Sequence, residues 1–227
     1  LEAKRHTLAH VLAMAILAKY PEAKLGIGPI IEQGFYYDFE IGKNFKEGEL
    51  AEFESSMRDI LKQSLDITGK KISLAEAKKL FKHQSFKLEL AEEYARDDKE
   101  LTAYTTGDFT DLCRGGHVEN TRDIDPDAFR LTRIAGAYWR GDEKNPQLQR
   151  IYGIAFNTKK ELEEYFTNLE EASRRDHKKL GPELDLFTFS ELVGPGLPLW
   201  TPKGTLLRDI LDSTVWELRK HYGYQRV

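Results

Sequence analysis

The chain has 227 residues, 40% hydrophobic and 32% charged, with 34 basic and 38 acidic side chains giving a formal net charge of -4. That length and apolar content allow one large domain, or a medium one with an appendage, and exclude a disordered tail; no apolar run approaches a membrane span. An acidic chain does not grip nucleic acid mainly by neutralising phosphates, so any RNA contact is expected to be local, around Lys4, Arg5 and Arg114 or along Arg174, Arg175, Lys178 and Lys179, clusters that read first as solvated faces.

Residues 3 to 20 carry helical spacing and stop at Pro21, which lacks a donor and disfavours a helical residue before it. Basic residues ahead of an apolar stretch look like a signal peptide, but His6 and His10 interrupt the stretch and no small-residue cleavage pattern follows. Leu8, Leu12, Ala15 and Ile16 share one side, while Ala13 and Leu17 fall with the histidines, so this helix is apolar nearly all round and is expected to be enclosed. LGIGPIIEQGFYYDFEI, residues 25 to 41, reads as a hairpin or two edge strands. Leu50, Phe53, Met57, Ile60 and Leu61 keep helical spacing within residues 47 to 65, and Ser73 with Glu76 makes a capping box for a short helix through Leu80.

Residues 88 to 97 predict another helix, residues 101 to 111 a return to β character, and residues 130 to 140 and 148 to 156 a strand pair across GDEKNP. The expected fold class is α+β, an antiparallel sheet with covering helices. Thr158 with Glu161 opens a single charged helix from Lys159 to Leu180, halted by Gly181 and Pro182 and serving as a connector. LVGPGLPLWTPKG then changes the composition, and residues 205 to 221 form an amphipathic helix through Leu207, Ile210, Leu211, Val215 and Leu218. A tail of about 45 residues is too small for an ordinary core of its own.

The single cysteine precludes an internal disulfide and fits a reducing compartment, by default the cytoplasm. His6-Thr-Leu-Ala-His10 sets two imidazoles one turn apart on one face, a pattern that by itself is more often structural than functional. The metalloprotease motif needs a glutamate in its second place, where this chain has Thr7. Asp111-Leu-Cys113-Arg-Gly-Gly-His117 puts the cysteine four residues before a histidine, in a loop whose glycines allow close backbone approach. Singly, Cys113 reads as a small buried hydrophobe and His117 as a surface residue; together, His6, His10, Cys113 and His117 are four potential tetrahedral zinc ligands, and one polar site is expected.

HTLAH, GPIIEQGFYYDF, DLCRGGH and the tail from Leu180 onward, in that order, resemble the editing domain of threonyl-tRNA synthetase and the opening of its catalytic domain, over essentially the whole chain. HxxxH with CxxxH is shared with the alanyl-tRNA editing family, where the resemblance implies zinc; GFYYDF and the tail favour the threonyl side. The resemblance implies an editing domain over residues 1–156, a linker helix over 157–182 and an N-terminal fragment of a class II aminoacylation domain over 183–227. It implies hydrolysis of seryl-tRNA(Thr). Serine lacks one methyl group of threonine, a difference worth only about 1 to 3 kcal/mol to a binding pocket, so a second site must remove wrongly loaded serine. Implied partners are the acceptor end of tRNA(Thr) carrying serine and, through the class II domain, a second subunit, with no membrane. Editing is expected to need no metal, although zinc at His6, His10, Cys113 and His117 fits the ligand chemistry; ATP and a catalytic zinc would bind outside this chain, which is not expected to aminoacylate.

On the same resemblance, His6, His10 and His117 position and polarise the attacking water, one of them as general base, while Cys113 lines the pocket without acting as a nucleophile. Asp111 is expected at the serine ammonium or hydroxyl, Lys87 and Tyr37 at the ester or terminal adenosine with Lys87 able to stabilise the developing oxyanion, and Arg114 and Gly115 among the substrate-binding residues; the plain alternatives for Lys87 and Tyr37 are a solvated lysine and a packing tyrosine. Gly116 stands where the family more often has proline. Two rivals remain: a free-standing zinc deacylase of the alanyl type, and a non-catalytic RNA-binding module whose four residues hold structural zinc.

Overall fold

A computed structural model describes residues 1–194 and 196–226 as two compact units, Leu1–Glu164 and Tyr165–Val227. The first unit opens with α1 (Glu2–Lys19), in which Leu8, Ala9, Val11, Leu12, Ala13, Ala15 and Ile16 are all buried. A helix apolar on every side can lower its free energy only by being surrounded, and α1 is the central element of the core. Arg5 is buried too, its Nε donating to the Ala155 carbonyl at 2.9 Å and Nη1 to that of Glu32 at 2.7 Å. It therefore ties α1 to the sheet and is neither a solvated face nor a nucleic-acid contact.

Around α1 runs an antiparallel sheet in the order β1 (Lys24–Leu25), β3 (Gly34–Glu40), β8 (Gln147–Ala155), β7 (Phe129–Tyr138), with β2 (Ile30–Ile31) on the same edge of β3 as β1. The segment expected as a hairpin or two edge strands thus contributes one broken edge and one interior strand. Phe35, Tyr37 and Phe39 of β3 alternate onto the buried face, while Tyr36 and Asp38 take the other, where Asp38 receives both Arg150 Nε and Nη2 at 2.7 and 2.9 Å. Helix α2 (Leu50–Lys62) covers the same core through Phe53, Met57 and Leu61.

A second, three-stranded sheet, β4 (Ile67–Lys71), β5 (Thr102–Thr106) and β6 (Phe109–Leu112), carries the rest of the unit with α3 (Leu74–Leu80) and α4 (Ser85–Arg96). Residues 101 to 111, read as one β segment, are two strands folded at Gly107. The Ser73–Glu76 box caps α3, Glu76 N donating to Ser73 Oγ at 3.2 Å. Helix α4 starts three residues earlier than its apolar pattern suggests, because Gln84 anchors its first turn: Gln84 Oε1 accepts from Leu25 N at 2.7 Å and Nε2 donates to the Ala23 carbonyl at 3.0 Å.

The charged helix expected over 159–180 divides into α5 (Lys159–Arg174) and α6 (His177–Glu183). Asp176 takes an extended backbone and accepts from Lys178 N at 2.9 Å, so its carboxylate caps a new helix instead of continuing the old one. Gly181 and Pro182 lie inside α6; Gly181 is needed there because a side chain would meet the Phe187 ring at 2.1 Å. Arg174 and Arg175 pair with Glu170 and Glu171 one turn back, the solvated face expected of that cluster. The second unit closes with the two-stranded β9 (Phe187–Thr188) and β10 (Leu199–Trp200), and α7 (Pro202–Lys220), capped by Thr201. No described helix is long and apolar enough to cross a membrane.

Candidate active site

Three segments of the first unit bring the central polar residues together. His6 and His10 project from one face of α1, Asp111 stands inside β6, and Cys113 and His117 lie in the loop that follows. That loop is fastened at both ends: Cys113 N donates to the Thr102 carbonyl at 3.2 Å, Ile67 N to that of Glu119 at 2.9 Å, and Asn120 Nδ2 to Asp66 Oδ1 at 2.7 Å. Gly115 adopts φ +91°, and a side chain there would meet the Tyr104 hydroxyl at 2.3 Å, so only glycine lets the loop pass over β5.

The outcome is a cluster in which one donor atom from each of His6, His10, Cys113 and His117 lies within 4.8 Å of the others. The His6 and His10 ring centroids are 4.1 and 4.3 Å from that of His117. Cys113 Sγ is 3.1 Å from His117 Nε2 and accepts from Gly115 N at 3.2 Å. Thr7, wholly buried between the two histidines, places Oγ1 3.2 Å from His117 Nδ1 and accepts from Val118 N at 3.2 Å.

Behind the imidazoles stands a buried charged group. Asp111 Oδ1 pairs with Lys87 Nζ at 2.5 Å and accepts from Leu112 N at 2.8 Å, while Oδ2 accepts from the Tyr37 hydroxyl at 2.5 Å and faces His10 Nε2 at 3.5 Å. Lys87 and Tyr37, read from sequence as solvated or packing residues in the plain alternative, are both fully enclosed and joined to the site through Asp111. Asp111 has its oxygens filled by protein groups, which makes it an internal anchor. Arg114 lies exposed with its guanidinium 4.8 Å over the Tyr94 ring, outside the cluster.

Burial sets the protonation states. It pushes the His10 pKa down to about 3 despite Asp111, and that of His117 down to about 2, with the neighbouring imidazoles adding to the effect. His6 is lowered by the same cause, partly opposed by its hydrogen bond to the Gly115 backbone. Burial raises the Cys113 thiol to about 11 and Tyr37 well above its ordinary value. For Asp111 burial acts upward, but Lys87, His10 and the hydrogen bonds outweigh it and hold the carboxylate below its usual range. At neutral pH the site therefore presents three uncharged imidazoles and a thiol against a buried carboxylate.

The donor set fits a metal. Zinc bonds of about 2.0 to 2.3 Å imply ligand separations of roughly 3.4 to 3.7 Å, which atoms within 4.8 Å reach with small side-chain rotations. His10 Nδ1, buried without a hydrogen-bond partner, is the kind of atom that a cation or an entering water would satisfy. Sequence reasoning missed Thr7 and Tyr104, whose ring lies 4.9 Å from that of His117. The available signal was a threonine at a buried turn of an otherwise apolar helix.

Comparison with known proteins gives a match of residues 101–152 to the family model described as "Threonyl and Alanyl tRNA synthetase second additional domain". Threonine–tRNA ligase of Deinococcus radiodurans is 51% identical over 98% of this chain and 35% of its own length. That of Gloeobacter violaceus is 49% identical over 98% and 36%, and that of Citrifermentans bemidjiense 50% over 100% and 35%. The chain thus spans about a third of the length of these curated relatives.

Proposed function

We propose that the first unit hydrolyses the ester of serine wrongly attached to tRNA(Thr), a reading supported by the chain's similarity to about a third of the length of threonine–tRNA ligases and by its match to the second additional domain of the threonyl and alanyl enzymes. The observation that carries the reading is the gathering of His6, His10, Cys113 and His117, a hundred residues apart in sequence, within 4.8 Å. In the reaction a water oxygen bonds to the ester carbonyl carbon, the bond to the ribose oxygen breaks, and the water's protons end on the departing hydroxyl and the released carboxyl or bulk solvent.

Of the three imidazoles, His10 is the one that faces a carboxylate, and we assign it the proton taken from the attacking water. Its Nε2 faces Asp111 Oδ2 at 3.5 Å, so a proton gained at Nδ1, the unpartnered nitrogen, is stabilised by a carboxylate behind the ring. Lys87 keeps that carboxylate ionised from the far side, and His6 and His117 complete the polar wall. Cys113, held as a thiol, is a poor nucleophile and serves as a small, weakly polar wall of the pocket. Gly115 offers its backbone to the terminal adenosine in this reading, and Arg114 its exposed guanidinium to a phosphate. A sieve of this kind admits serine and has no room for threonine's methyl.

If zinc binds, His6, His10, Cys113 and His117 would hold it, and a bound ion would supply an activated water at neutral pH. Residues 183–227 are proposed to begin a class II aminoacylation domain, whose ATP site would lie elsewhere in the relatives' length. Single-turnover deacylation of seryl- and threonyl-tRNA(Thr) tests the function. We expect release of serine only, with His10→Ala and Cys113→Ala slowed at least tenfold; equal rates in all three proteins would refute the assignment.

A further inference from the structure

We infer that Thr7 is a positioning residue that fixes His117 as the tautomer protonated at Nε2, so that His117 enters the reaction as a hydrogen-bond donor and not as a second base. The inference rests on the proposed hydrolysis only for its consequence in rate. Its structural basis is a count of donors and acceptors. Among the described residues Thr7 Oγ1 has two partners, the Val118 amide and His117 Nδ1, each at 3.2 Å. The amide can only donate, so Thr7 Oγ1 accepts there. A hydroxyl with no solvent exposure must still place its own proton, and His117 Nδ1 is the one acceptor in reach.

Nδ1 is thereby committed as an acceptor and the ring proton resides on Nε2, which faces Cys113 Sγ at 3.1 Å. The sulfur, already accepting from Gly115 N, is left with a thiol proton lacking a strong acceptor, and a weak donor is the cheapest group to leave so. The opposite tautomer would give Thr7 Oγ1 two incoming donors and strand the stronger hydroxyl donor in the core. The same threonine thus bolts the loop to α1 through Val118 and orients the imidazole beside it. Because Thr7 sits one residue from His6 and three from His10 on a single rigid helix, all three rings are held in one frame.

The test measures ring-nitrogen ¹⁵N shifts of His117 in chelator-treated protein, so that no metal competes for the ring, together with deacylation of seryl-tRNA(Thr) by wild type, Thr7→Val and Thr7→Ser. We expect a protonated Nε2 and an acceptor-type Nδ1 in wild type and in Thr7→Ser. Thr7→Val should show mixed or reversed tautomers and a turnover about ten- to a hundredfold lower, with Thr7→Ser within about threefold of wild type. An Nδ1-protonated ring in wild type, or an unchanged pattern and rate in Thr7→Val, overturns the inference. If Thr7→Val does not fold, the wild-type shifts and the Thr7→Ser rate still decide. Absence of any deacylation by wild type would instead sink the proposed function and leave the tautomer measurement valid.

Discussion

His10 illustrates how much a single enclosed side chain weighs. Its folded pKa, about 3, lies below the ordinary 6.5 of an exposed imidazole, so between those values the unfolded chain binds a proton that the native one refuses. Stability is therefore complete above about pH 6.5 and falls as the pH drops toward 3, at about 1.4 kcal/mol per pH unit for this group. Urea denaturation of metal-free protein should show at least that slope between about pH 6 and 4, where His117 adds to it, and His10→Asn should reduce it by one proton; an identical slope in the variant contradicts the burial argument. Asp111 presents the complementary case. Replacing it with asparagine leaves the Lys87 ammonium buried beside a neutral amide, a loss of about 3 to 5 kcal/mol. Chemical denaturation of Asp111→Asn checks this, and a cost below 1 kcal/mol would mean that Lys87 finds water. Cys113, with its thiol raised to about 11, should react with iodoacetamide slowly at pH 7.5 and faster in alkali.

At the level of elements, the site is assembled by α1, β3, β6 with the loop that follows it, and α4. Helix α4 brings Lys87 to Asp111 only because Gln84 fastens its first turn to the residues around β1. Gln84→Ala removes both bonds and should cost about 1 to 3 kcal/mol while lowering deacylation, since Lys87 loses its fixed approach. Gly115→Ala should act differently: the loop must move off Tyr104, so hydrolysis is lost while the melting temperature, set by the core around α1, β3 and α2, shifts by only a few degrees. Equal loss of both quantities would show that the loop is part of the cooperative core.

The whole molecule comprises two units of very different interior. The first has a continuous core from α1 through β3 to α2, whereas α7 of the second leaves Leu206, Leu207, Ile210, Leu211, Val215 and Leu218 exposed beside an apolar groove of about 610 Å³. Calorimetry is expected to resolve the first unit's transition from a weaker one, and residues 1–164 alone should retain serine release; a single transition for both units would speak against this independence. The α1 helix, its encirclement, the Ser73–Glu76 capping box, the β7–β8 pair and the four-residue cluster were legible in the sequence, because periodicity, caps and rare residue types are local signals. The Asp176 break, the Gly107 turn and the true start of α4 were not, since each turns on one polar side chain choosing a backbone partner. The partnership of Lys87, Tyr37 and Asp111 and the role of Thr7 were decided only by the tertiary structure. Residue order fixes which groups are available, but a buried hydrogen bond exists only where packing leaves a donor and an acceptor with no water to turn to.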